Sequence, residues 1–140
     1  MSWRKYRTLF LTAALFVAMG QQLALGADDQ GKNIAIVGTE FIQQAKEGDA
    51  LDFSVTVQNN ETTPQGAYPL VVLYHREMKT EVEFYGKAMT ISPGETGKMV
   101  VSVPKAPVGE HKVIFIVYDA KDQVADRKDE TAPLLVEPAE

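Results

Sequence analysis

Leu51, Phe53, Val55 and Val57 alternate without a break with Asp52, Ser54, Thr56 and Gln58. A period of two sends one set to an apolar interior and the other to water, so the segment reads as a half-buried β-strand and not as a helix. Gly48-Asp49 ahead of it and Asn59-Asn60 behind it supply turn chemistry. Strand-like segments continue along the chain. Residues 33–42 read as a first strand, with Gly38 marking a bulge or bend. Residues 70–76 form another, with Pro69 at the entrance, where a missing N–H is tolerated. Residues 81–85 and 88–91 are short and edge-like, and Ser92-Pro93-Gly94-Glu95 suits a type II turn. Residues 98–103 resume the alternation until Pro104 and Pro107 end it. Residues 111–119 form a strong β run, 120–123 a hairpin connection, and the last pairing falls within 124–136. No long segment carries a helical apolar face. About seven short strands with regular turn signals predict an all-β, immunoglobulin-like antiparallel β-sandwich, with a small barrel as the alternative.

The N-terminus reads as an address. Arg4, Lys5 and Arg7 precede an apolar run over 9–19, too short to span a bilayer comfortably. Gln21 and Gln22 mark a polar shift, and Ala24-Leu25-Gly26 places small residues where a signal peptidase requires them. The expected organisation is a cleaved signal peptide over 1–26, a flexible leader over 27–32, and one sandwich domain over 33–140. The expected location is the periplasm or the exterior, with no membrane insertion after cleavage. Removing the signal leaves eleven cations against nineteen acids, a net charge of −8 where the whole chain has −5. Such a domain repels phosphate backbones and anionic lipid, which argues against nucleic-acid partners. The absence of Cys excludes disulfides, thiolate metal sites and cysteine nucleophiles.

The stretch Gly48 followed by LDFSVTVQN resembles the second strand of CARDB-type bacterial extracellular domains. Ile91-Ser92-Pro93-Gly94 is similar to their apolar-then-Pro-Gly turn, and GEHKVIFIVYDAKDQV, residues 109–124, to their strand and hairpin ending in Asp. The resemblance spans about residues 33–136. It implies a seven-stranded extracellular sandwich used as a binding or spacer module, with no common catalytic site. The chain departs from the pattern at Asn59-Asn60-Glu61 and at Asp129-Glu130-Thr131. A lone copy suits association with a partner better than spacing of other domains.

Catalytic motifs are absent: there is no Gly-x-Ser-x-Gly, His-Glu-x-x-His or phosphate-loop pattern. A non-enzymatic role without a cofactor is therefore expected. His75 and His111 end and begin two strands expected to be antiparallel neighbours, so both fall at one end of a sheet. With Met78 and Met99 they form a candidate imidazole–thioether copper set, the alternative function being a periplasmic copper carrier. Asp119, Asp122, Asp126, Asp129, Glu130, Glu47 and Asp49 offer loop oxygens to calcium without EF-hand spacing. Tyr68, Tyr74, Tyr85 and Tyr118 leave a third reading, carbohydrate or surface adhesion through loop tyrosines.

The most informative feature is apolarity on both faces of two segments, LVVLY over 70–74 and VIFIVY over 113–118. A sandwich strand with one wet face should alternate, so the outward residues need a cover. The leader or the tail over 133–136 would supply one; a protein partner, self or another envelope protein, would supply another. Sequence parity gives two equivalent choices. The one adopted places Ile114, Ile116 and Tyr118 inward and makes Val72, Tyr74, Val113, Phe115 and Val117 the candidate partner contacts.

Overall fold

The alternation becomes burial. In β3 (Leu51–Asn59), Leu51, Phe53, Val55 and Val57 are buried, while the residues between them face outward. The same rhythm governs β7 (Thr96–Val103), the antiparallel partner of β3. β1 (Ile34–Glu40) pairs with the other side of β3 and completes a three-stranded sheet. The register slips between Ile36 and Gly38, so the bulge expected at Gly38 falls on Val37, which is left exposed.

The computed structural model describes residues 32–139, which contain no helix. The expected signal peptide and all of the leader except Lys32 lie outside the described residues. A second sheet stacks on the first. It contains β2 (Gln44–Lys46), β4 (Gln65–His75), β5 (Thr80–Tyr85), β6 (Met89–Ile91), β8 (Gly109–Asp119), β9 (Val124–Asp129) and β10 (Leu134–Glu137). Its main path runs β2-β10-β8-β4-β5, with β6 also on β4 and β9 also on β8. The protein is thus an all-β two-sheet sandwich. The described residues form ten strands where about seven were expected: the expected short strand over 88–91 is β6, β2 is additional, and the last expected pairing within 124–136 divides into β9 and β10. All pairings are antiparallel except β10 with β2.

The core between the sheets is built on Phe53 and Phe115, whose rings lie 6.3 Å apart edge to face, with Phe41 stacked 5.7 Å from Phe53. Leu134 and Val136 of β10 enter this same core. The tail therefore extends a sheet edge and does not lie across the outer face.

Pro69 is not at a strand entrance. It sits inside β4, opposite Val117, at the break between the pairings with β6 and β5. Its carbonyl accepts the Gly86 N–H at 2.9 Å, so its missing donor also points into this break, where no ladder bond is lost. The turn after β6 follows expectation: Gly94 has φ of 74°, and Glu95 N–H bonds to Ser92 O at 3.1 Å.

Candidate docking surface

Pairing fixes which side chains share the outer face of the larger sheet. Tyr85, Leu70, Ile116 and Arg127 form one row across β5, β4, β8 and β9. Glu83, Val72, Ile114 and Asp129 form the next, and Glu81, Tyr74 and Lys112 the one beyond. On the other side of the Leu70 row stand Tyr68 and Tyr118. Leu70, Val72 and Ile114 make an apolar cluster separate from the main core, only 2–7% exposed, with Ile116 and Tyr118 packed against it.

The outward residues are the opposite set from the one adopted on sequence. Val113, Phe115 and Val117 are fully buried in the main core, whereas Ile114, Ile116 and Tyr118 face outward. Phe115 decides the parity, because its ring completes the aromatic cluster with Phe41 and Phe53. Val72 and Tyr74 do lie on the outer face, Val72 nearly covered and Tyr74 half-buried. The signal that identifies the outward set is one turn back in the strand: Glu110 and Lys112 share the parity of Ile114, Ile116 and Tyr118. The apolar run hides that parity because every position within it is equally buriable.

Charges and tyrosines frame the aliphatic cluster. Asp129 accepts bonds from Arg127 Nε at 2.7 Å and Nη2 at 3.2 Å, and lies 3.1 Å from Lys112 Nζ. Burial opposes ionisation of Asp129, but the bonds from Arg127 and Lys112 outweigh it and hold the carboxyl below its ordinary value. Tyr68 stacks on Tyr118 at 5.1 Å with 17° between the rings and donates to Asp122 Oδ1 at 2.9 Å. That hydrogen bond, with burial and the Asp122 charge behind it, pushes the Tyr68 phenol up to about 12. Burial, then the Glu83 charge, raises Tyr85. These tyrosines stand on strands, not on loops as the adhesion reading supposed.

The free edge of β5 is open among the described residues. β5 ends the pairing order of its sheet and bonds to β4 alone, and five of its six residues are exposed. Val82 is 42% and Tyr85 57% exposed. The free side of β1 and part of the β7 edge are covered. The free side of β1 faces β9, where Ile36 N–H bonds to the buried Asp126 carboxylate at 2.7 Å and Thr39 Oγ1 donates to Glu130 at 2.6 Å. Gly86 packs so closely on the β7 edge that a Cβ there would stand 2.7 Å from Val100 O.

His75 and His111 are register partners at one end of the sheet, their rings 5.1 Å apart and nearly perpendicular. Their hydrogen bonds set the neutral tautomers. His75 Nδ1 accepts the Met78 N–H at 3.1 Å, leaving the ring proton on Nε2, which abuts Gly109. His111 Nε2 donates to Pro107 O at 2.9 Å. Burial, reinforced by the His75 charge, holds the His111 imidazole below its ordinary value. The Met78 side chain is exposed, and Met99 is buried in β7 opposite Val55, four residues before the strand end at Val103, roughly 13 Å along the strand. The two imidazoles are thus gathered, Met78 adjoins them in the following turn with its side chain exposed, and Met99 stands apart.

Among the described residues, six of the seven candidate acids, all but Glu47, bond through their carboxylates within the fold. Asp119 Oδ1 accepts the N–H groups of Lys121 and Gln123, and Asp126 binds Ile36 and Lys32. Among the described residues, no three His, Cys, Asp or Glu side chains form a group fit to hold a metal.

No family model matches the chain, and no curated protein matches it. Solved structures share the fold. The alkylpurine DNA glycosylase AlkC of Pseudomonas fluorescens aligns with a TM-score of 0.55 at 10% identity, over 76% of this chain and 31% of its own. A β-glucuronidase of Bacteroides uniformis gives 0.54 at 14% identity, over 69% and 14%. The cupredoxin domain of amoB from Nitrosocaldus yellowstonii gives 0.52 at 10% identity, over 77% and 89%. This chain therefore spans under a third of the glycosylase and a seventh of the glucuronidase. At these identities the likeness is one of fold.

Proposed function

We propose that this chain is a non-catalytic binding module of the periplasm or cell exterior that docks to a protein partner through the free edge of β5 and the adjoining outer face. The observation that carries the reading is the open β5 edge, with Val82 and Tyr85 exposed beside it. Backbone N–H and C=O groups on such an edge bind an added strand, and side chains on its two faces select it. The resemblance to CARDB-type domains supports the same reading.

The test is affinity capture from envelope extract with residues 27–140 as bait, repeated with Val82→Pro and with Tyr85→Ala. Recovery of one stoichiometric protein, lost with both variants while their melting temperatures stay near that of the parent, supports the reading. A bait that recovers nothing, or recovers the same protein with both variants, rejects it.

A further inference from the structure

β5 has two chemically different faces. Glu81 and Glu83 point to the outer face, opposite Tyr74 and Val72, while Val82 and Phe84 point to the inner one, opposite Leu73 and Val71. Both glutamates are exposed; Glu83 accepts a long bond from the Tyr85 hydroxyl at 3.5 Å and Glu81 lies in the field of Arg127, and each still presents its carboxylate to the solvent beside the edge. A strand added to β5 sets its own side chains directly beside these, where opposite charges attract and like charges repel. We infer that the segment docking on β5 is an extended strand of another protein that alternates Lys or Arg with apolar residues, the cations facing Glu81 and Glu83 and the apolar side chains facing Val82 and Phe84. This rests on the docking function proposed above and adds the chemistry of the partner.

A second copy of the chain does not meet the requirement. Two antiparallel β5 strands must match outer face to outer face. Pairing five of the six residues then sets Glu81 opposite Glu83, or Glu83 opposite itself. The leader fails for the same reason, since it carries Asp28 and Asp29. The charge of −8 over residues 27–140 repels acidic strands generally and draws in a basic one.

The experiment titrates residues 27–140 with three capped hexapeptides, Lys-Val-Lys-Val-Lys-Val, Ser-Val-Ser-Val-Ser-Val and Lys-Pro-Lys-Pro-Lys-Pro, following β5 amide shifts by NMR. The last has the charge of the first but cannot form a strand ladder. The expected result is binding of the Lys-Val peptide at β5 about 3- to 30-fold tighter than of the Ser-Val peptide, with no β5 shifts from the Lys-Pro peptide. Glu81→Lys with Glu83→Lys should abolish the preference. Equal binding of the Lys-Val and Ser-Val peptides overturns the inferred charge but leaves the edge as a docking site. β5 shifts from the Lys-Pro peptide equal to those from Lys-Val reduce the effect to bulk charge and overturn the inference. Binding by none of the three also overturns it, and the capture experiment with Val82→Pro then decides separately whether the edge docks anything.

Discussion

Ile36 gives its backbone N–H to Asp126 across the gap between the two sheets, at 2.7 Å. Lys32 Nζ lies 3.1 Å from the same carboxylate, and both side chains are at least nine-tenths buried. Burial raises the Asp126 carboxyl, and the Ile36 N–H and Lys32 oppose that shift. The carboxylate thus satisfies the free edge of β1 where no strand pairs with it.

Removing this carboxylate leaves a buried cation and a buried N–H without it. Asp126→Ala should cost about 3–5 kcal/mol in a denaturant titration. Lys32→Met combined with Asp126→Leu should recover much of the loss, because replacing both charges removes the desolvation cost. A cost below about 1 kcal/mol for Asp126→Ala would show that the edge closes without the ion pair.

The burial that lowers His111 makes stability depend on pH. As pH falls, the unfolded chain takes up its proton first, near the ordinary value of 6.5, while the folded imidazole resists. Stability is therefore full above that value and declines below it. Melting temperature should fall steadily from pH 7 toward pH 5, and His111→Gln should flatten that slope. The depressed Asp129 acts in a separate window. Its contribution is present above 3.8 and is lost as pH falls through the lower folded value.

Gly109 has φ of +126°, and an added Cβ would overlap the His75 ring. Gly109→Ala should destabilise by roughly 2–4 kcal/mol, through backbone strain and displacement of the imidazole. Adding His75→Ala should relieve the overlap and leave the strain, restoring part of the loss. A double-mutant cycle by chemical denaturation separates the two.

The parity of β8 predicts unequal costs for neighbouring residues. Phe115→Ala should cost about 3–5 kcal/mol because it opens the aromatic core. Tyr118→Ala, which removes the outer partner of Tyr68, should cost roughly 1 kcal/mol. A polar residue at 115 should unfold the domain, so loss of binding in such a variant reports on folding. Equal costs at 115 and 118 would contradict the observed facing.

Local chemistry was enough for much of the fold. Strict alternation wrote β3 into the sequence, because each apolar residue there has a polar neighbour to mark the wet side. Pro93-Gly94 wrote the turn after β6, because one residue fixes φ and the other accepts a positive one. The side-by-side placement of His75 and His111 followed from strand order alone. The facing of residues 113–118 did not follow, because an unbroken apolar run has no internal marker of parity. Phe41 and Phe53, distant in sequence, chose it by packing on Phe115. Pro69 likewise reads as a strand start until the β6-to-β5 break is seen, since only the neighbours of β4 decide whether its absent N–H is missed. The open edge of β5 and the closed edge of β1 belong to the same class. A strand becomes an edge by what lies beside it, and the sequence determines the strand whereas only the tertiary structure decides its neighbour.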